Sequence, residues 1–232
     1  MTADEIWLAA MWPFVRGQLP DPPSRVIELG CGQVGGHIPA LLDAGYQAVG
    51  IDPEAPDGPG YRAIEFEKYR PDGPVDGVLA SLSLHHVADP GGVLSQIAGM
   101  LRPGGTLVVV EWGWDTLDEA TARWCFSHRL PDPEDPDEHG TWLGHLQAEW
   151  ADSGRPWPEF CRGWAEGHGL HPLTAIQAAL AGRFTTVHES RGPYYFPELA
   201  GVSPADEQAA IDDGRIRAGC LRYAGHQEGG QP

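Results

Sequence analysis

The chain has 232 residues, 41% of them hydrophobic, which suits one large α/β domain better than two complete ones. Its net charge of −18 repels phosphate backbones and anionic membrane surfaces, and no basic stripe with interleaved aromatics appears. Neither nucleic acid nor a membrane is therefore an expected partner. The 31 glycines and 22 prolines fall between apolar runs rather than in low-complexity tracts, as in a loop-rich globule. Asp4 and Glu5 stand where a signal peptide carries basic residues, and Pro13 and Arg16 break the apolar stretch that follows. No apolar run approaches spanning length. Cys31, Cys125, Cys161 and Cys220 lack disulfide-like spacing, so reduced thiols and a cytoplasmic location are expected.

In chain order, Ile6, Trp7, Ala10, Met11 and Phe14 keep helical spacing and predict an opening amphipathic helix. A short strand from Arg25 to Leu29 follows, then a glycine-rich turn from Gly30 to Gly36, and a helix from about Ile38 with Gly45 as its C-terminal cap. Ala48 to Ile51 reads as a second buried strand closed by Asp52. A weak strand is expected near Tyr61 to Phe66 and a stronger one from Gly77 to Leu82. Asp89 and Pro90 have the chemistry of an N-cap and first helical position, ahead of a face made by Val93, Leu94, Ile97, Ala98 and Leu101. Arg102 to Gly105 turns the chain into Thr106 to Val110, the most hydrophobic strand. Strands alternating with amphipathic helices predict a doubly wound, mostly parallel sheet.

After Trp112 the pattern changes. Every tryptophan except Trp7 and Trp12 lies between Trp112 and Trp164, and an acidic, proline-broken run from Leu130 to His139 interrupts the region. Helical spacing of Trp142, Leu143, Leu146 and Trp150, and of Phe160 with Trp164, predicts a helical cap. Helix and strand then resume at Thr174 to Ala181 and Phe184 to Glu189. Ser203 to Asp206 has capping-box chemistry, and a last strand is expected from about Ile216 to Ala224. The expected organisation is one domain over residues 1–226: a ligand-binding half (1–112), a cap and substrate region (113–182), closing strands (183–226), and a short tail (227–232).

Gly30-Cys31-Gly32-Gln33-Val34-Gly35 spells G-x-G-x-x-G at a strand-to-helix turn, where the backbone can approach a ligand. A tight turn without a ligand uses the same residues, and the pattern suits a dinucleotide as well as S-adenosylmethionine. Glu28 helps separate the two. A carboxylate at a buried strand end is costly unless paired or serving a ligand; it would repel a pyrophosphate but not a cationic amino acid. Asp52 stands about 20 residues past the glycines, where an acid takes ribose hydroxyls.

With these residues the sequence resembles the class I S-adenosylmethionine-dependent methyltransferases. The resemblance rests on Val26 to Gly32, Gly50-Ile51-Asp52, Ser83 to Val87 and Leu101 to Leu107, together covering roughly the first half of the chain. It implies a Rossmann-like seven-stranded sheet with one antiparallel strand. It also implies S-adenosylmethionine as cofactor, S-adenosylhomocysteine as product and a small-molecule methyl acceptor, with an aromatic or secondary-metabolite scaffold as one option. Glu28, Gly30, Cys31 and Gly32 would hold the amino acid part, and Asp52 with Pro53 the ribose. Glu65 and Phe66 would meet the adenine, with Glu67 as a register alternative; Ser81 and Leu82 would line the methionyl side. Val34 stands where the family usually has glycine, with Gly35 and Gly36 one residue later, so a lengthened loop is expected. Alternatives are a protein that binds the same ligand without methyl transfer, and an NAD-dependent oxidoreductase.

His85 and His86 follow the fourth strand at the edge where such a sheet presents its site. Either is a candidate general base; the alternative is packing for one and a loop hydrogen bond for the other. Trp112 and Trp114 would face an acceptor pocket or pack in the core, and Tyr194 and Tyr195 would reach the pocket from the far side or serve as strand-end aromatics. The tryptophans of the cap helices are expected mostly in the cap's own core. Cys125, His128, His139, His145, Cys161, His168 and His171 supply ligand types without compact paired spacing, so no metal is expected. The acidic run Asp132 to Glu138 is expected to be a solvated loop.

Overall fold

The computed structural model describes residues 1–128, 130 and 142–227. Helix α1 (Ala3–Gln18) opens on a capping box between Thr2 and Glu5 and buries Trp7, Met11 and Val15. Strand β1 (Arg25–Leu29) leads through the glycine turn into α2 (Ile38–Asp43), after which Gly45, at φ +90°, redirects the chain into β2 (Gln47–Asp52). Strand β3 is shorter than its apolar run predicts, spanning Tyr61–Ala63; the buried Phe66 instead begins a 3₁₀ turn to Lys68. β4 (Val75–Ser81), α3 (Pro90–Met100) and β5 (Leu101–Trp112) follow. Asp89 does occupy the N-cap position of α3, but its side chain makes no capping hydrogen bond.

The next described helices are α4 (Glu119–Phe126), α5 (Trp142–Ser153), α6 (Trp157–Gly167) and α7 (Leu173–Leu180). β6 (Phe184–Gly192) comes next. α8 (Pro204–Asp212), opened by the Ser203–Asp206 capping box, leads to β7 (Cys220–Gln227), which starts four residues later than its pattern suggests. His139 and the acidic run Asp132 to Glu138 lie outside the described residues, as does most of the Leu130 to His139 segment.

The seven strands form one sheet in the order β3-β2-β1-β4-β5-β7-β6, parallel except for β7, which runs antiparallel to both neighbours. Both faces are covered, so the central strands are apolar throughout, with successive residues going to opposite sides. Val78, Ala80, Leu107 and Val109 pack with α3 and α7, whereas Leu79, Val108 and Val110 pack with α1 and α2. α7 thus belongs to the sheet's own core through Leu173, Ile176 and Leu180. The cap has a separate core in which Trp157, Phe160, Leu143 and Leu146 meet Trp112 and Tyr195.

Candidate active site

Strand order reverses between β1 and β4, which leaves a crevice outside their carboxyl ends. Gly30 leaves β1 at φ +79°, and a Cβ there would lie 2.3 Å from the Ser83 Cβ, so the turn passes the loop after β4 only as glycine. Gly36, at φ +55°, is fixed by a different neighbour: its Cβ would lie 2.6 Å from the Glu28 carboxylate. Above Gly32 a Cβ would meet nothing within 4 Å, so a ligand has room beside the backbone.

Glu28 is fully buried, and its oxygens accept the His37 backbone N–H at 2.8 and 3.1 Å and the His37 Nδ1–H at 3.0 Å. The carboxylate thereby anchors the start of α2. Asp52 ties the turn from the other side: one oxygen accepts the Gly32 N–H at 3.0 Å, the other that of Glu54 at 2.8 Å. Two joined hollows result. One, of about 350 Å³, is bounded by Glu28, Cys31, Gly32, Ser81 and Leu82, with Trp7 and Asp4 of α1 above. The other, of about 500 Å³, is bounded by Gly30, Gly32, Asp52, Pro53, Glu65, Phe66 and Leu82, with Glu67 and His86 at its rim. Every residue expected at the cofactor lines at least one of them. Leu82, which lines both, sits at φ +49°, a strained conformation for a branched side chain. Burial, with Glu28 and Asp52 beside it, pushes the Cys31 thiol up to about 12, so it stays protonated and unreactive.

His85 and His86 differ sharply. His85 is buried, with Nδ1 2.5 Å from Glu111 Oε1. Glu111, at the end of β5, is itself completely buried. It also accepts the backbone N–H groups of Trp112 at 2.9 Å, Leu84 at 2.7 Å and Ser83 at 3.1 Å. An ionised carboxylate only accepts, so Nδ1 of His85 carries a hydrogen, and in the neutral ring the lone pair is on Nε2. The His86 ring packs against His85 at 4.1 Å between ring centres, tilted by 42°, but is exposed on the cleft wall. Desolvation first, then the charges of His85 and His168 set against that of Glu111, pull its pKa down to about 4.

A third hollow of about 280 Å³ adjoins the cleft across His86. His85, His86 and His168 line it with Trp112, Trp142, Trp164, Tyr194 and Leu170. Trp112 stacks on Tyr194 at 5.5 Å with planes 17° apart, and its Nε1–H donates to the Tyr195 hydroxyl at 3.1 Å. Burial foremost, with Glu198 and Glu111 nearby, pushes the Tyr194 phenol well above its ordinary range. The fully buried Glu207 of α8 accepts the backbone N–H groups of Tyr194 and Phe196, both at 2.7 Å, and so holds this aromatic turn in place.

Trp114 does not join this wall. The chain leaves β5 at Trp112 and enters a 3₁₀ turn, Trp114–Thr116, which directs Trp114 into the cap core. Conversely Trp142 and Trp164, expected in that core, also face the cavity. Tyr195 is wholly buried behind the wall. Glu111 and Glu207 were not singled out from the sequence. For Glu111 the signal was present, since it ends an apolar strand as Glu28 does. A separate groove of about 520 Å³ on the cap, lined by Arg123, Trp150 and Arg155 among others, contains none of the candidate residues. Among the described residues no group of three or more His, Cys, Asp or Glu side chains is placed to hold a metal, and no helix is long and apolar enough to cross a membrane.

A family described as Methyltransferase domain matches residues 8–163, more than half of the chain. The chain belongs to this methyltransferase family. No curated protein matches it in sequence. Among solved structures, an S-adenosylmethionine-dependent methyltransferase from Mesorhizobium loti is 20% identical, with TM-score 0.54 over 94% of this chain and 98% of its own. The N-methyltransferase NodS from Bradyrhizobium japonicum, in complex with S-adenosyl-L-homocysteine, is 14% identical with TM-score 0.52, covering 94% and 86%. A geranyl diphosphate C-methyltransferase from Streptomyces coelicolor A3(2) is 14% identical with TM-score 0.53, covering 94% and 80%. At these identities the likeness establishes a shared methyltransferase fold.

Proposed function

We propose that this methyltransferase-family protein uses S-adenosylmethionine to methylate a small molecule held in the aromatic cavity. The observation that carries the proposal is the continuity of the glycine-turn cleft with that cavity: His86 borders both. The cleft's chemistry suits the cofactor. Open backbone lies above Gly32, Asp52 has lone pairs left for ribose hydroxyls, and the buried Ser83 hydroxyl has no hydrogen-bond partner among the described residues. Glu28 lies at the smaller hollow behind the turn, where a buried carboxylate disfavours a pyrophosphate.

When bound, S-adenosylmethionine supplies a methyl group on a sulfonium, already activated for displacement. The protein's share is then mainly alignment in a dry pocket. Gly30 to Gly32 and Asp52 would orient the cofactor from the β1–β2 side, with Ser81 and Leu82 on the methionyl side and Pro53, Glu65 and Phe66 around the adenine. Trp112, Trp142 and Tyr194 would exclude water and hold the acceptor by ring contact. We assign residues 113–182, apart from α7, which packs with the sheet, to the acceptor side of the domain and residues 1–112 to the cofactor side.

Calorimetry with S-adenosylhomocysteine and NADH tests the ligand choice, and transfer of labelled methyl to candidate small molecules tests turnover. Micromolar-range binding of S-adenosylhomocysteine and none of NADH is expected. NADH binding alone would return the site to an oxidoreductase; tight S-adenosylhomocysteine binding without transfer to any acceptor would favour a non-catalytic binding protein.

A further inference from the structure

Among the described residues, three imidazoles, four aromatic rings and one leucine line the aromatic cavity, and none of these is a carboxylate. Glu111, behind His85, is wholly buried, and both of its oxygens are already engaged by three backbone N–H groups and the imidazole. An ammonium entering this cavity would therefore lose its hydration without gaining a counter-ion from the described residues that line it. A flat neutral ring meets the opposite situation. The Trp112 and Tyr194 rings, stacked 5.5 Å apart, and Trp142, 5.2 Å from Trp112, offer faces and edges to such a ring. The same cavity presents an imidazole with its tautomer already selected.

The acidity of the acceptor follows from that base. A phenol, with a pKa of about 10, lies a few units above imidazole. A proton on an alkanol, nearer the value of about 15.7 for water, is far beyond it. General-base assistance is effective only when the acid is within reach of the base.

We infer that the methyl acceptor is a planar aromatic compound bearing a phenolic hydroxyl, that Nε2 of His85 removes the hydroxyl proton, and that Glu111 is the residue positioning His85. This deepens the methyltransferase reading and rests on it. The oxygen–carbon bond forms as the carbon–sulfonium bond breaks, and that bond's electron pair stays on sulfur, leaving a neutral thioether. The O–H electron pair stays on oxygen while the proton passes to Nε2. The resulting imidazolium is held against the Glu111 carboxylate until it releases the proton to water.

A nitrophenol-type probe such as 4-nitrocatechol reports its own ionisation by colour and needs no turnover. Titrated into the protein near neutral pH, the bound probe should show a phenolate-to-phenol ratio about tenfold or more above that of the free probe. His85→Gln leaves Glu111 its three backbone donors, so it should fold and bind the probe without that gain. In Glu111→Gln, nitrogen-15 spectra of His85 should show loss of the Nδ1–H tautomer; if that variant does not fold, His85→Gln alone carries the test. An unchanged probe spectrum, a gain that survives His85→Gln, or tighter binding of phenyltrimethylammonium than of the phenol would overturn the inference. Calorimetry with S-adenosylhomocysteine runs in parallel. Loss of that binding with the phenolate gain intact breaks the cofactor assignment alone, and the converse breaks the phenol assignment alone.

Discussion

Glu28 and Glu111 sit at the carboxyl ends of β1 and β5, both wholly buried, and each has a histidine Nδ1 at 3.0 Å or less. What differs is the far side of the imidazole. The Nε2 of His37 is buried without a partner among the described residues, and Trp12 stacks over the ring at 6.3 Å. His85 lines a cavity shared with three tryptophans and Tyr194. One carboxylate–imidazole pair is therefore closed and supports the glycine turn, while the other opens onto a space a small molecule can enter. Identical chemistry at equivalent strand ends becomes scaffold in one place and a candidate base in the other, according to where the second nitrogen faces.

The donors around each carboxylate provide the most forceful way to break this comparison. Glu111→Ala would strand three backbone N–H groups and an imidazole in the interior, and Glu28→Ala would strand one backbone N–H and an imidazole. Removing one partner of a buried charged pair costs about 3–5 kcal/mol. Urea unfolding should place Glu111→Ala near the top of that range and Glu28→Ala near the bottom. Equal losses would show that the number of stranded donors is not what sets the cost.

The central strands β1, β2, β4 and β5 were legible because they hold apolar runs, as burial on both faces demands. β1 begins and ends at the predicted residues, and Asp52 closes β2. The cap was legible as helices but not as a surface. Helical spacing shows that Trp142 and Trp164 share a buried side, yet a side chain can bury itself against core and cavity at once, which only tertiary packing decides. Trp114 fails for a local reason: the phase of β5 ends at Trp112, and the 3₁₀ turn beyond it rotates the next side chains away. Asp89 has the right chemistry for a cap, but at φ −137° and ψ 92° its carboxylate makes no capping bond. Glu111 was legible by the argument already applied to Glu28, since both end apolar strands.

Asp52 is a third strand-end acid, and it sharpens the contrast because it is only half-buried and, among the described residues, no histidine pairs with it. Its oxygens hold Gly32 and Glu54 while facing the larger hollow of the cleft. Asp52→Ala should therefore weaken binding of S-adenosylhomocysteine by about 1.5–3 kcal/mol, the usual range for hydrogen bonds to a charged group. Unchanged calorimetric affinity would remove Asp52 from the ribose assignment and leave it a turn residue.

Glu198 shows what a half-buried carboxyl does when nothing clamps it. It lies in the 3₁₀ turn Phe196–Glu198, and its side chain has no hydrogen-bond partner among the described residues. Burial chiefly, and Asp4 of α1 secondarily, raise its pKa from 4.5 to about 7. Between these two values the folded protein keeps the proton while the unfolded chain has released it. The folded state thus binds more protons there, and stability must fall as pH rises through that window, levelling off above about 7. One pKa unit corresponds to about 1.4 kcal/mol, and the partial exposure of Glu198 screens the effect, so a loss of about 1–2 kcal/mol across the window is expected. Glu198→Gln, which carries no charge at any pH, should flatten this part of the profile and be the more stable form at pH 8. The measurement is urea unfolding of wild type and Glu198→Gln at half-unit steps from pH 4 to pH 8. Parallel profiles for the two proteins would show that Glu198 ionises in the folded state as readily as in the unfolded chain, and that burial without donors does not govern it.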